Sequence, residues 1–152
     1  MFEKELIIMP DRKFGSKEEV IRYLTHLDNS RVLDADAYEK AVLEREAAFV
    51  TYVGYGIGMP HAKTEAVAEP FAVYARLANE VQWGEDEGET VSQIFLLGVP
   101  AGKNTDASFA NLHLKMLAML SRHLMHEDFR NRLENAADAE EIYQILKNLK
   151  EE

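Results

Sequence analysis

Gly56-Ile57-Gly58-Met59-Pro60-His61-Ala62-Lys63 decides how this chain is read, because it marks where a strand ends and sets one histidine apart there. The two glycines allow a tight turn and close backbone approach, since glycine alone adopts positive φ at little steric cost. Pro60 fixes its own φ, removes a donor and pushes Met59 toward an extended conformation. His61 thus leaves a stiffened strand end with its imidazole displayed, and Lys63 supplies a nearby cation. A Pro-His pair in a turn is weak evidence by itself, and a surface-loop histidine would account for it. The rest of the chain supplies the context.

Working outward, Thr51 to Met59 reads as strand broken by glycines, and Phe71, Val73, Ala75 and Leu77 alternate as a strand does. Ile94-Phe95-Leu96-Leu97-Gly98-Val99 is a buried strand ended by Pro100, and Leu6-Ile7-Ile8-Met9 is a strand stopped by Pro10. Gly84 to Glu89 forms an acidic loop. Helical patterns run from Ser16 to about Leu27, from about Asp36 to Phe49, and from about Ser108 to Leu124. Two short helices follow, near Phe129 to Leu133 and Glu140 to Leu149. Ser16 with Glu19, and Asp138 with Glu141, have the spacing of capping boxes. Strands mixed with helices predict an α/β domain: a mixed central sheet flanked by helices on both faces, with residues 1–152 as one domain.

Composition narrows the function. The chain has 152 residues, a net charge of −10 and no cysteine, so disulfides, thiolate metal sites and a cysteine nucleophile are excluded. The acidic balance argues against nucleic acid and anionic membranes and favours a partner with a basic face. No apolar run approaches the roughly 20 residues of a membrane span. The Met1-Phe2-Glu3-Lys4-Glu5 start lacks a signal peptide's basic flank and apolar stretch, which leads us to expect a cytoplasmic protein.

Two further residues gain meaning beside His61. His113 shares an apolar stripe with Leu117 and Leu120, at i+4 and i+7. It is either a core histidine or an imidazole aimed into a cleft. Arg45 sits in a charge-rich helix, where a solvated face is the ordinary reading, yet Phe49-Val50-Thr51 follows at once. Thr51 is either a β-former or a hydroxyl beside the glycine turn. His26, His123 and His126 read as surface or helix-end residues. A metal site pairing His61 with His113 lacks an HExxH-like spacing and a third ligand.

Taken together, Leu43-Glu44-Arg45-Glu46-Ala47, Thr51, Gly54 and Gly56-Ile57-Gly58-Met59-Pro60-His61-Ala62-Lys63 resemble a known family: the IIA domains of the fructose and mannitol type in the bacterial sugar phosphotransferase system. Val81-Gln82-Trp83, Leu112-His113-Leu114-Lys115-Met116-Leu117 and the segments from Phe129 and Asp138 look like the family's later elements. The likeness runs from about Ile8 to Leu149. It implies that His61 accepts a phosphoryl group, with Arg45 and His113 in the same site and Thr51 as a candidate further donor. It implies phosphorylated HPr as donor, a IIB domain as acceptor, the membrane reached only through a IIC component, and no cofactor. Fructose-type transport is the favoured role, and the regulatory nitrogen-type relatives offer the alternative. Phe49, Tyr55 and Met59 are candidate docking residues around the histidine. Phe49, Val50, Tyr55 and Gly58 depart from the common pattern, and the connection from Gly102 to Ala110 is longer than usual. These departures bear on partner choice and sugar specificity.

Overall fold

A computed structural model describes residues 2–102 and 111–149. Strand β1 (Phe2–Ile8) is followed by helices α1 (Lys17–Thr25) and α2 (Ala35–Ala48). Four strands come next: β2 (Tyr52–Gly54), β3 (Ile57–Gly58), β4 (His61–Thr64) and β5 (Phe71–Gln82). Strand β6 (Thr90–Pro100) then leads to α3 (Leu112–Leu124), α4 (Glu127–Asn135) and α5 (Ala139–Leu146). The expected start of the third helix near Ser108, and most of the long connection before it, lie outside the described residues.

Both capping boxes form. Ser16 accepts from the Glu19 amide at 3.2 Å and Asp138 from the Glu141 amide at 3.0 Å. The two glutamates reach back one residue beyond the cap, to the amides of Gly15 and Ala137, at 2.8 and 2.7 Å. Asp34 opens α2 in the same way, accepting from the Ala37 amide at 3.0 Å. Each cap satisfies amides that the first helical turn leaves without partners. Helix α1 stops at Thr25, two residues short of the expected Leu27, because His26 takes the C-cap position.

The mixed sheet runs β1-β5-β6-β3-β2, with β4 also paired to β6. Strands β5 and β6 are antiparallel, and β3 and β4 lie end to end alongside β6, both parallel to it. β6 is therefore central, and alternate residues serve opposite faces. Ile94 and Leu96 pack with Val73, Ala75, Val20, Ile21 and Val42 in the α1–α2 core. Phe95 and Leu97 pack with Tyr74, Met116, Leu120 and Ile142 in the α3–α5 core. Burial on both faces explains why Ile94 to Val99 carries no polar alternation. Sequence alternation placed β5 at Phe71 to Leu77; the strand continues to Gln82, because pairing with β6 carries it through polar residues at the sheet end.

The stretch from Thr51 to Met59 is two short strands joined by a turn in which Gly54, Tyr55 and Gly56 all have positive φ (101°, 58° and 75°). Two glycines flank a tyrosine held in a conformation that β-carbons disfavour. The chain then passes Pro60 and forms β4, a strand absent from the sequence reading. Its pairing with β6 depends on a distant segment.

Candidate active site

The site grows from the junction between β3 and β4. His61 opens β4 opposite Leu97, whose amide donates to the Pro60 carbonyl at 3.0 Å. Ala62 packs into the α1–α2 core, so alternation turns His61 and Lys63 toward the α3 face. His61 is only 7 % exposed. Its Nδ1 lies 3.0 Å from the Met59 carbonyl oxygen. A carbonyl can only accept, so Nδ1 carries the proton and the neutral ring keeps its lone pair on Nε2.

Electrostatics hold that ring neutral. Burial pushes the His61 pKa below its ordinary value, and the Arg45 charge pushes the same way. The Met59 carbonyl and the Glu46 carboxylate act in the opposite direction without reversing the shift. His113, half-buried on the first turn of α3, is also shifted down, by burial, then by the charge of Lys63 and by repulsion from the His61 ring whenever that ring is protonated. His61, His113, Arg45 and Lys63 therefore share one electrostatic neighbourhood drawn from β4, α3 and α2. The His113 Nδ1 is buried with no hydrogen-bond partner among the described residues. Arg45 is anchored at one end of its fork, where Nη1 donates to the Phe49 carbonyl at 2.9 Å.

Thr51 stands level with Met59, whose amide donates to the Thr51 carbonyl at 2.9 Å. Its hydroxyl, a candidate phosphoryl donor from the sequence, donates instead to the buried carboxylate of Glu46. That proton is already committed, because a carboxylate is the stronger acceptor within reach.

The docking candidates separate. Phe49 is 75 % exposed at the end of α2, near Arg45. Met59 is only 3 % exposed and belongs to the α3–α5 core, so a partner cannot touch its side chain. Tyr55 is exposed, but its turn lies level with Ser92 on β6, five residues before the Leu97 that faces His61. At about 3.3 Å per residue that is roughly 17 Å along the strand. There its ring stacks under the Arg130 guanidinium, 3.6 Å from the centroid. Met59 is thus corrected from a docking residue to a core residue, while Tyr55 stays exposed and stacks on Arg130 toward the other end of β6.

Sequence reading passed over Glu46 and Lys17 as individual site residues. A signal existed for Glu46: it continues the four-residue spacing of Tyr38 and Val42, the buried stripe of α2, and a charge there needs partners. Nothing local marks Lys17, whose ammonium meets Glu46 at 3.3 Å only in the folded chain.

His26, read as a helix-end residue, caps α1 and hydrogen-bonds Asp36 at 2.9 Å. Among the described residues, the group of ligating side chains close enough to share a cation is His26, Asp36 and Glu39, away from His61.

A buried, neutral imidazole with an Nε2 that has no hydrogen-bond partner among the described residues, in the same electrostatic neighbourhood as an arginine and a second imidazole on a doubly covered mixed sheet, defines a class of domain suited to nucleophilic chemistry on an anionic group. Comparison with known proteins gives the family. Residues 1–149 match the family model described as phosphoenolpyruvate-dependent sugar phosphotransferase system, EIIA 2, and the chain belongs to this family. It is 40% identical over 134 residues to the PTS system fructose-specific EIIA component of Haloferax volcanii, covering 87% of this chain and 83% of that protein. The fold is similar to that of the nitrogen regulatory protein IIA-Ntr from Neisseria meningitidis, with a TM-score of 0.78, 25% identity and coverage of 94% and 97%. It is also similar to enzyme IIAMTL in its complex with phosphorylated enzyme IIBMTL from Escherichia coli, with a TM-score of 0.75, 25% identity and coverage of 97% of both chains. Among the described residues, no helix is long and apolar enough to cross a membrane.

Proposed function

We propose that this chain is a phosphocarrier: His61 takes a phosphoryl group from phosphorylated HPr and passes it to a IIB domain during sugar uptake of the fructose type. The observation that carries the reading is the His61 ring itself, neutral, with Nδ1 held by the Met59 carbonyl and the lone pair on Nε2. In the transfer, the Nε2 lone pair attacks phosphorus in line with the donor's leaving nitrogen. The bond from that nitrogen to phosphorus breaks, and its electron pair stays with the donor. The transition state is loose, with charge on the equatorial oxygens, so positioning and charge compensation do most of the work. Arg45 offers a planar fork to those oxygens, and His113 a ring N–H. The Nδ1–H bond to Met59 remains in place throughout, and the second transfer to IIB reverses the same steps.

The identity with a fructose-specific EIIA component supports the sugar-uptake role, and the IIAMTL–IIBMTL complex supports a IIB acceptor. The similarity to a nitrogen regulatory protein supports a second reading, in which the phosphorylation state of His61 controls a partner protein. Incubation with enzyme I, HPr and phosphoenolpyruvate tests the shared step. An acid-labile, base-stable phosphoprotein is expected, with the label mapped to His61. Labelling that persists in His61→Ala overturns the assignment, and transfer onward to a IIB domain separates the two roles.

A further inference from the structure

Behind the histidine lies an ion pair between a buried carboxylate and a half-buried ammonium, which phosphoryl transfer does not touch. Glu46 is 4 % exposed on α2. One carboxylate oxygen accepts from the Thr51 amide at 2.7 Å and from the Lys17 ammonium at 3.3 Å, and the other accepts the Thr51 hydroxyl proton. Lys17, the first residue of α1, also donates to the Trp83 carbonyl at 2.9 Å. Buried pairs of this kind stabilise a fold little more than well-packed apolar side chains would, so stability alone is a weak reason for one here. Three of these four contacts converge on Glu46, and the fourth anchors its partner Lys17. Thr51 in turn accepts the Met59 amide at 2.9 Å, and the Met59 carbonyl accepts Nδ1–H of His61 at 3.0 Å. A relay of hydrogen bonds and short backbone links thus runs from α1 and α2, through Thr51 just before β2 and Met59 just after β3, to the His61 ring.

We infer that Glu46 and Lys17 are positioning residues for the phosphoryl acceptor: by clamping Thr51 they fix the Met59 peptide, and with it the ring orientation that presents Nε2. The claim rests on reading His61 as the acceptor. The Met59 carbonyl must point at Nδ1 for the ring to hold one tautomer. Met59 precedes a proline, so its backbone is already restricted, and the Thr51 contact supplies the remaining constraint. A misplaced nucleophile loses rate steeply even when every reacting group is present.

The test uses the full chain. Long-range ¹H–¹⁵N NMR reports the His61 tautomer at neutral pH with no phosphoryl donor present. Steady-state phosphotransfer from phospho-HPr then separates kcat from KM. Glu46→Gln leaves one acceptor oxygen for the two Thr51 donors. The double variant Lys17→Met/Glu46→Gln removes both charges with little change in volume, and so leaves no buried charge unpaired. In both, His61 is expected to populate two tautomers, and kcat to fall about 10-fold, the order expected for one good charge-assisted contact, with KM within about 2-fold. A folded double variant with a single Nδ1–H tautomer overturns the inference, whether or not kcat falls, and so does a mixed tautomer with kcat unchanged. Absence of label on wild-type His61 would instead remove the acceptor reading, while the NMR result still decides whether the pair orients the ring.

Discussion

Gly58 and Trp83 fit together as a hole and its plug: a β-carbon built on Gly58 would lie 2.8 Å from the indole Cε2. Trp83 is only 2 % exposed, and its ring occupies the space that a larger residue in β3 would fill. The sequence marks Gly58 as a departure from the alanine usual in the family, and the structure supplies the reason. Gly58→Ala should destabilise the fold by about 1–3 kcal/mol, the ordinary cost of overpacking a core. Urea unfolding monitored by Trp83 fluorescence measures it; an unchanged midpoint would mean that the indole moves aside freely.

Arg45 on α2 and His113 on α3 both interact electrostatically with the His61 ring. If each holds a phosphoryl oxygen, Arg45→Ala and His113→Ala should still accept phosphate but pass it on slowly. Loss of one charge-assisted contact costs about 1.5–3 kcal/mol, or roughly 10- to 150-fold in rate. Rapid-quench transfer to a IIB domain checks this, and wild-type rates in both variants would return the two residues to structural roles.

The lowered pKa of His61 sets a pH dependence. If the neutral ring is the nucleophile, as proposed, phosphotransfer should persist below the ordinary histidine value near 6.5 and fall only at more acid pH. Arg45 pushes the value down, so Arg45→Ala should move the acid limb upward, while Glu46→Gln should move it downward. NMR titration of the His61 ring resonances gives both shifts, and an unmoved value in both variants, or a shift of either against its expected direction, would show that other groups control the ring.

His26 works in the opposite sense. Its Nδ1–H donates to the Arg22 carbonyl at 2.8 Å and its Nε2–H to Asp36 at 2.9 Å, which requires the doubly protonated ring. The hydrogen bond to Asp36 is the main cause of a raised pKa. A folded value above the unfolded one makes this contribution complete below about 6.5 and lost as pH rises through the folded value. His61 and His113 have lowered values, so their contribution to stability declines on the acid side instead. His26→Gln should therefore lower stability on the acid side, where the contribution is complete, and flatten its loss across the neutral to mildly alkaline range. Denaturation midpoints at a series of pH values decide it.

Much of this was legible in the residues. Capping boxes at Ser16 and Asp138 are local arrangements of a side chain and an amide three residues on, so their spacing suffices. The run Ile94 to Val99 announces a strand buried on both faces, because no polar alternation interrupts it. Met59-Pro60-His61 singles out the histidine, since proline chemistry and glycine turns act within a few bonds. Other features depend on distant segments. Strand β4 exists because His61 to Thr64 pair with Leu97 to Pro100, a partnership that no local pattern encodes. Met59 and Tyr55 flank the histidine in sequence, yet one turns into the core and the other sits at the far end of the sheet. The chain by itself determined its helices, its central strands and the histidine set apart at a strand end, through propensity, periodicity and short-range hydrogen bonding. Only the tertiary structure decided how Lys17, Glu46, Thr51 and Met59 line up behind His61, because hydrogen bonds between α1, α2 and the sheet depend on packing geometry that sequence spacing does not express.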